Sequence, residues 1–279
     1  MNFLKSIWIT CSHLSLDVVL GAMAGLLFFS KLFRIPMDLE NFLLLGIAVW
    51  AIYTLDHLWD ARKAKELVSS RHLFHSRYQM PIAGLAIAIL IVGITLAIWF
   101  LGFGKDLFWS LGFGSLVLVT MYLLRKAGKA SGGLKELCTA VFYVVGIAWF
   151  PLLKIIPIEL NYRNLSLLVL YIFLALINLL MLSVLDHRED QVQGFSSATE
   201  RWEPNGLVLT IRKFALVLIL GALASFILMP SFYRPFACIL LLMLLVHYLT
   251  FFQNQLSSEE KRRRMEAAFL LPWILALLV

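Results

Sequence analysis

Apolar stretches, each bounded by charged residues or by Pro and Gly, recur along the whole chain. They lie near 14–33, 41–58, 81–103, 107–124, 137–157, 164–185, 209–229, 234–253 and 265–279. A helix needs about 20 largely apolar residues to cross the hydrocarbon core of a bilayer, since each residue adds about 1.5 Å. Most of these stretches reach that length, and the last is short. Hydrophobic residues make up 61% of the chain and charged residues 15%, whereas a soluble domain carries about half and about a quarter. A water-soluble core of this size cannot hide that much apolar surface. The sequence therefore predicts an all-α, polytopic membrane protein with about nine transmembrane helices. It excludes a soluble enzyme, a disordered chain and an extracellular disulfide scaffold.

The first stretch reads as a permanent span. Lys5 and the Ala22-Met23-Ala24 segment echo a cleavable leader, but His13 and Asp17 interrupt its apolar region and apolar sequence continues to Phe33. Cys11, Cys138 and Cys238 are odd in number, widely spaced and set in or beside apolar runs. They read as small fillers and not as ligands or disulfide partners.

The placement of Lys and Arg sets direction. Lys5 falls on one side, with Arg62, Lys63, Lys65, Arg71 and Arg77 after the second span and Arg125, Lys126, Lys129 and Lys135 after the fourth. Arg188, Arg201, Arg212 and Lys213 follow the sixth span, and Lys261 to Arg264 follow the eighth. Only Lys31, Arg34, Lys105, Lys154, Arg163 and Arg234 fall on the other side. The pattern predicts a cytoplasmic N-terminus and a C-terminus on the opposite face. The net charge of +7 then reflects topology and anionic lipid headgroups, and calls for no nucleic acid. Two cytoplasmic loops, 61–80 and 186–208, are long and polar, and long loops on one face of a bundle are where function concentrates.

Both loops follow an acidic pair. The second span ends in Asp56-His57-Leu58-Trp59-Asp60 and the sixth in Asp186-His187-Arg188-Glu189-Asp190. D-H-x-x-D thus recurs at equivalent ends of two spans, a weak internal repeat that suggests two four-helix halves and a ninth helix. Residues i and i+4 share a helical face, so each pair sets two carboxylates about 6 Å apart at a membrane boundary, where they repel and cost desolvation energy. The negative end of the helix dipole adds to that field. A cation offsets it, and Mg²⁺ suits best, because it takes oxygen ligands, uses one or two carboxylates and completes its shell with phosphate. Solvated helix ends are the plainer alternative; a matched second pair weighs against it.

Tyr122 and Lys126 also stand one turn apart, at the same side of the fourth span. Lysine binds phosphate as a point charge and tyrosine donates a hydrogen bond, although an aromatic followed by positive charge describes many helix ends. His75 in the basic loop is either a phosphate contact or loop surface. His57 and His187 read as interfacial residues, since Mg²⁺ prefers oxygen. Asp17, inside the first span, is a functional suspect or half of a local polar pair with His13. Residues 257–264 read as a solvated charged loop, and Glu266 as a partner of Arg262 or Arg263.

Taken together, these motifs resemble those of the UbiA-type intramembrane prenyltransferases. That family has nine transmembrane helices, an N-D-x-x-D-x-x-x-D motif on the second, D-x-x-x-D on the sixth and Y-x-x-x-K on the fourth. Asp56 and Asp60 match the last two aspartates of the first motif, Asp186 and Asp190 the second motif, and Tyr122 and Lys126 the third element. The resemblance implies Mg²⁺-dependent transfer of a prenyl group from a polyprenyl diphosphate to a lipophilic, usually aromatic acceptor. It implies metal binding by Asp56, Asp60, Asp186 and Asp190, diphosphate binding by Lys126 and Arg71, and cap segments at 61–80 and 186–208. Tyr53, Trp59 and Tyr143 are candidates to face an allylic cation.

The chain departs from that pattern where Ile52 and Tyr53 stand in place of the family's Asn and first Asp. A second expectation follows, a UbiA-like protein that binds lipid without turnover. A cation-coupled transporter is a third, weakened because transporter sites lie near the bilayer midplane at broken helices. The sequence leaves the acceptor, the prenyl length and the oligomeric state open.

Overall fold

A computed structural model describes residues 11–63, 70–127, 133–155, 161–193 and 204–277. Among them every regular element is helical. The helices are α1 (Leu16–Phe33), α2 (Leu39–Lys63), α3 (Ser70–Arg77), α4 (Gln79–Leu101), α5 (Lys105–Ala127) and α6 (Leu134–Ile147). They continue with α7 (Trp149–Lys154), α8 (Tyr162–Gln193), α9 (Pro204–Leu228), α10 (Arg234–Phe252) and α11 (Ser258–Ala268), followed by a 3₁₀ turn over Leu271–Leu277. Seven segments, those of α1, α2, α4, α5, α8, α9 and α10, are long and apolar enough to cross a membrane. The chain is an all-helical, multi-pass membrane protein, in contact with lipid along its apolar helices.

Two of the expected spans are broken, both by proline. The run at 137–157 divides into α6 and α7 around Ala148. Pro151 has no N–H for the carbonyl of Ile147, the residue at which α6 ends. The run at 265–279 is not one helix either. Pro272 has no N–H for the carbonyl of Ala268, where α11 stops and the tighter turn begins. The loops expected at 61–80 and 186–208 are largely helical where described: α2 runs on to Lys63, α3 occupies 70–77, and α8 extends to Gln193.

Successive membrane helices pack side by side, α1 on α2, α2 on α4, α4 on α5, α5 on α6, α6 on α8, α8 on α9 and α9 on α10. α11 and the C-terminal turn return to α1 and close the ring, while contacts of α1 with α6 and of α8 with α11 fill its middle. α1 fits there because its buried residues include Gly21, Ala22, Ala24 and Gly25, and small residues let helix backbones approach in lipid. A Cβ on Gly21 would sit 3.1 Å from that of Phe269, and one on Gly25 would sit 2.5 Å from Ile147 Cδ1. One helical turn further, Phe28 meets Phe29, Tyr171 and Phe236 edge-on, with ring centroids 5.2, 5.4 and 5.3 Å away. This aromatic knot joins α1, α8 and α10.

α4 and α5 are the exceptions, since only 6% and 11% of their spanning windows are buried. Trp149 ties α5 to the bundle beside α4 and α6: it stacks on Phe113 at 4.3 Å and donates from Nε1 to Ser110 Oγ at 2.9 Å. Trp149→Ala removes the stack and the hydrogen bond and is expected to cost about 2–4 kcal/mol. Hydrogen exchange in detergent checks it: the amides near Ser110 and Phe113 should gain exchange before those of α1 or α8. Unchanged exchange there would show that α4 and α6 hold α5 without Trp149.

Candidate functional site

The two ends of the bundle differ. At the far end the connections are short and tied by neutral or cation–aromatic contacts. Arg34 lies over the Phe232 ring at 4.0 Å. Asn161 donates to the Tyr233 hydroxyl at 2.9 Å, and its carbonyl oxygen accepts from the amides of Arg163 and Asn164 to cap α8. The other end carries both D-H-x-x-D segments, α3 and α11.

On α2, Ala51, Thr54 and Leu58 are buried against the bundle, while Ile52, Leu55 and Trp59 form an exposed stripe. The 100° step of a helix puts Tyr53, Asp56, His57 and Asp60 on the remaining flank, and all four are half-buried. α3 folds back on this flank, bringing the His75 ring to 5.2 Å from that of His57. His75 is 1% exposed, so the loop-surface alternative for it is corrected. Phe74 in turn meets His13 at 5.4 Å. Asp17 is buried; its Oδ1 accepts from the Val18 amide at 2.9 Å, and its Oδ2 has no described hydrogen-bond partner.

Deeper in, Tyr53 lies within electrostatic range of Tyr143 on α6, as does Tyr171 on α8. Phe269 joins this group, with its ring 5.9 Å from Tyr143, 6.3 Å from Tyr171 and 5.5 Å from His247. Through Tyr53 the polar flank of α2 comes near this aromatic group. Of the three aromatic candidates, Tyr53 and Tyr143 belong to it, and Trp59 stands on the exposed stripe.

Asp186 ends the membrane portion of α8 and is ion-paired with Arg262 of α11, both side chains about three-quarters covered. α11 is the part of this end that the sequence reading missed, having taken 257–264 for a loop. Ser257 caps it by accepting from the Glu260 amide at 3.3 Å, and Glu260 pairs with Arg264 at 2.7 Å. Ser257 followed three residues later by Glu260 is the sequence signature of a capped helix start, and it was there to be read. Lys261 Nζ donates to the Phe251 carbonyl at 2.8 Å and so covers the C-terminal end of α10. Partial burial holds its pKa below the ordinary lysine value.

Tyr122 and Lys126 of α5 are exposed, and no described contact joins either to Asp56, Asp60 or Asp186. Asp190 and Arg71 lie on α8 and α3, but their side chains are outside the described residues. The middle of the 186–208 segment is outside them too.

Asp56 and Asp60 fit a hard divalent cation by donor type and by their shared face. Asp186 is of the same type, with Arg262 as its counter-charge. No set of three or more metal-ligating side chains is assembled among the described residues. A Mg²⁺ site built on one or two carboxylates and substrate phosphate does not require one. In comparisons with known proteins, no family model, no curated protein and no solved structure matches the chain.

Proposed function

We propose that this protein binds an isoprenoid diphosphate at the acidic end of the bundle and transfers its prenyl group to a lipophilic, aromatic acceptor in the membrane. The observation that carries this reading is the flank of α2. It sets two carboxylates one turn apart, half-buried, on the same flank as Tyr53. In this proposal the nine apolar runs form a UbiA-like bundle, with the N-terminus and the acidic end cytoplasmic and the C-terminus on the far side. That orientation follows from the Lys and Arg bias.

Asp56 and Asp60, joined by Asp186 and Asp190, would hold Mg²⁺. The ion supplies Lewis-acid stabilisation of the departing diphosphate. The chain does the rest. Lys126, Arg71 and His75 are the proposed diphosphate contacts, with Tyr122 donating a hydrogen bond. The bond between the allylic carbon and oxygen breaks, and the electron pair leaves with the diphosphate. Tyr53 and Tyr143 present ring faces to the allylic cation, and the apolar core excludes water that would otherwise capture it. The new bond forms to an acceptor carbon, which releases its proton. A second reading, lipid binding without turnover, is favoured by Ile52, which is exposed where the family carries a polar residue.

The test is binding of prenyl diphosphates of several chain lengths to the detergent-purified protein, with and without Mg²⁺, followed by diphosphate release in an acceptor screen. Metal-dependent binding with release is expected. Binding without release under any acceptor favours the second reading, and no binding at any chain length rejects both.

A further inference from the structure

We propose that Arg262 is a diphosphate-binding residue that holds Asp186 in the empty protein and exchanges it for the diphosphate when substrate arrives. The inference rests on the diphosphate reading above and assigns a new residue to it. The juxtaposition that carries it joins two helices far apart in sequence: the Arg262 guanidinium meets the Asp186 carboxylate with both side chains about three-quarters covered. A covered carboxylate needs a counter-charge, and at the second acidic pair the chain itself provides one.

Arg262 is built to move while its helix stays. α11 is fixed on one side by Lys261, bonded to the end of α10, and on the other by Phe269, seated among Tyr143, Tyr171 and His247. It packs on α8, α10 and α1. The long arginine side chain can therefore pivot on a fixed backbone. Its planar fork matches phosphate oxygens as well as it matches a carboxylate. A diphosphate brought to Asp186 would meet like charge unless a cation lies between them, and Arg262 is already there. Without diphosphate the same arginine competes with any cation for Asp186.

This predicts effects of opposite sign from one substitution. The full-length protein in detergent is titrated with Mn²⁺, followed by its paramagnetic resonance, with and without geranylgeranyl diphosphate. In Arg262→Gln, Mn²⁺ alone should bind several-fold more tightly, because Asp186 is released. Diphosphate in the presence of Mn²⁺ should bind about tenfold or more weakly, because charge-assisted bonds are lost. Arg262→Lys should fall between wild type and Arg262→Gln for diphosphate. A merely structural ion pair would weaken both affinities together, and that result overturns the exchange, as does unchanged diphosphate binding in Arg262→Gln. Tighter Mn²⁺ binding in the variant, with no diphosphate bound by the wild type, would reject the diphosphate reading and Arg262's part in it. The competition between Arg262 and a cation for Asp186 would then stand by itself.

Discussion

Asp56→Asn is expected to weaken the proposed metal-dependent diphosphate binding, and any turnover that depends on it, by about a hundredfold or more. The substitution keeps the shape and half the hydrogen-bonding capacity of the side chain but removes the charge that a hard cation needs. Asp60→Asn should behave alike, because the two residues share one flank of α2 and, in the proposed reading, act on one ion. Asp190→Asn is the matching variant on the second pair. Asp106→Asn is the internal control. It sits at the start of α5, at the opposite end of the bundle, and should leave binding unchanged. The measurement is a titration of prenyl diphosphate at fixed Mg²⁺ for each variant, after a check that it elutes as a folded species. If Asp56→Asn binds as wild type does, the acidic flank is only a solvated helix end.

Phe28→Ala has the largest expected effect on stability. Its ring is fully buried and touches Phe29, Tyr171 and Phe236. Truncating a buried Phe costs about 3–5 kcal/mol in soluble proteins. Here the transfer part is smaller, because the alternative to the core is lipid, but the lost packing remains. Tyr171→Phe is the informative contrast. The Tyr171 hydroxyl is buried with no described partner, so removing it should be neutral or stabilising by about 1 kcal/mol. Denaturant titration in mixed micelles, followed by Trp fluorescence, checks both. A destabilised Tyr171→Phe would show that the hydroxyl has a partner, such as a bound water.

Much of the fold was legible because apolar length is a one-dimensional signal: seven of the nine runs correspond to helices of spanning length and composition. The two that differ contain Pro151 and Pro272, and the rule that a proline frees the carbonyl four residues back places both breaks at the right residue. A reading based on apolar content alone counted through them. At the site, helical spacing correctly puts Asp56 with Asp60 on one face. It does not reveal which way that face turns, and the pairing of His75 with His57 and of Arg262 with Asp186 depends on how α3 and α11 fold back. Ion pairs between residues 76 positions apart leave no local trace in a sequence. Tyr122 and Lys126 share a face of α5 as their spacing predicts, and both are exposed there.

The sparing burial of α4 and α5 bears on how the chain is made. A helix that shares little surface with its neighbours must be stable in lipid by itself, and these two, exposed along most of their spanning windows, are expected to enter the bilayer as a hairpin with no need of the rest. α1 is the opposite, with an aspartate near its start and 61% of its window covered by later helices, and α6 is too short to cross alone. Their final seats exist only once α8, α10 and α11 have been synthesised. Assembly is therefore expected to finish from the C-terminal end, because a chain ending before residue 234 offers α1 the surfaces of α2, α6 and α8 but not those of α10, α11 and the C-terminal turn.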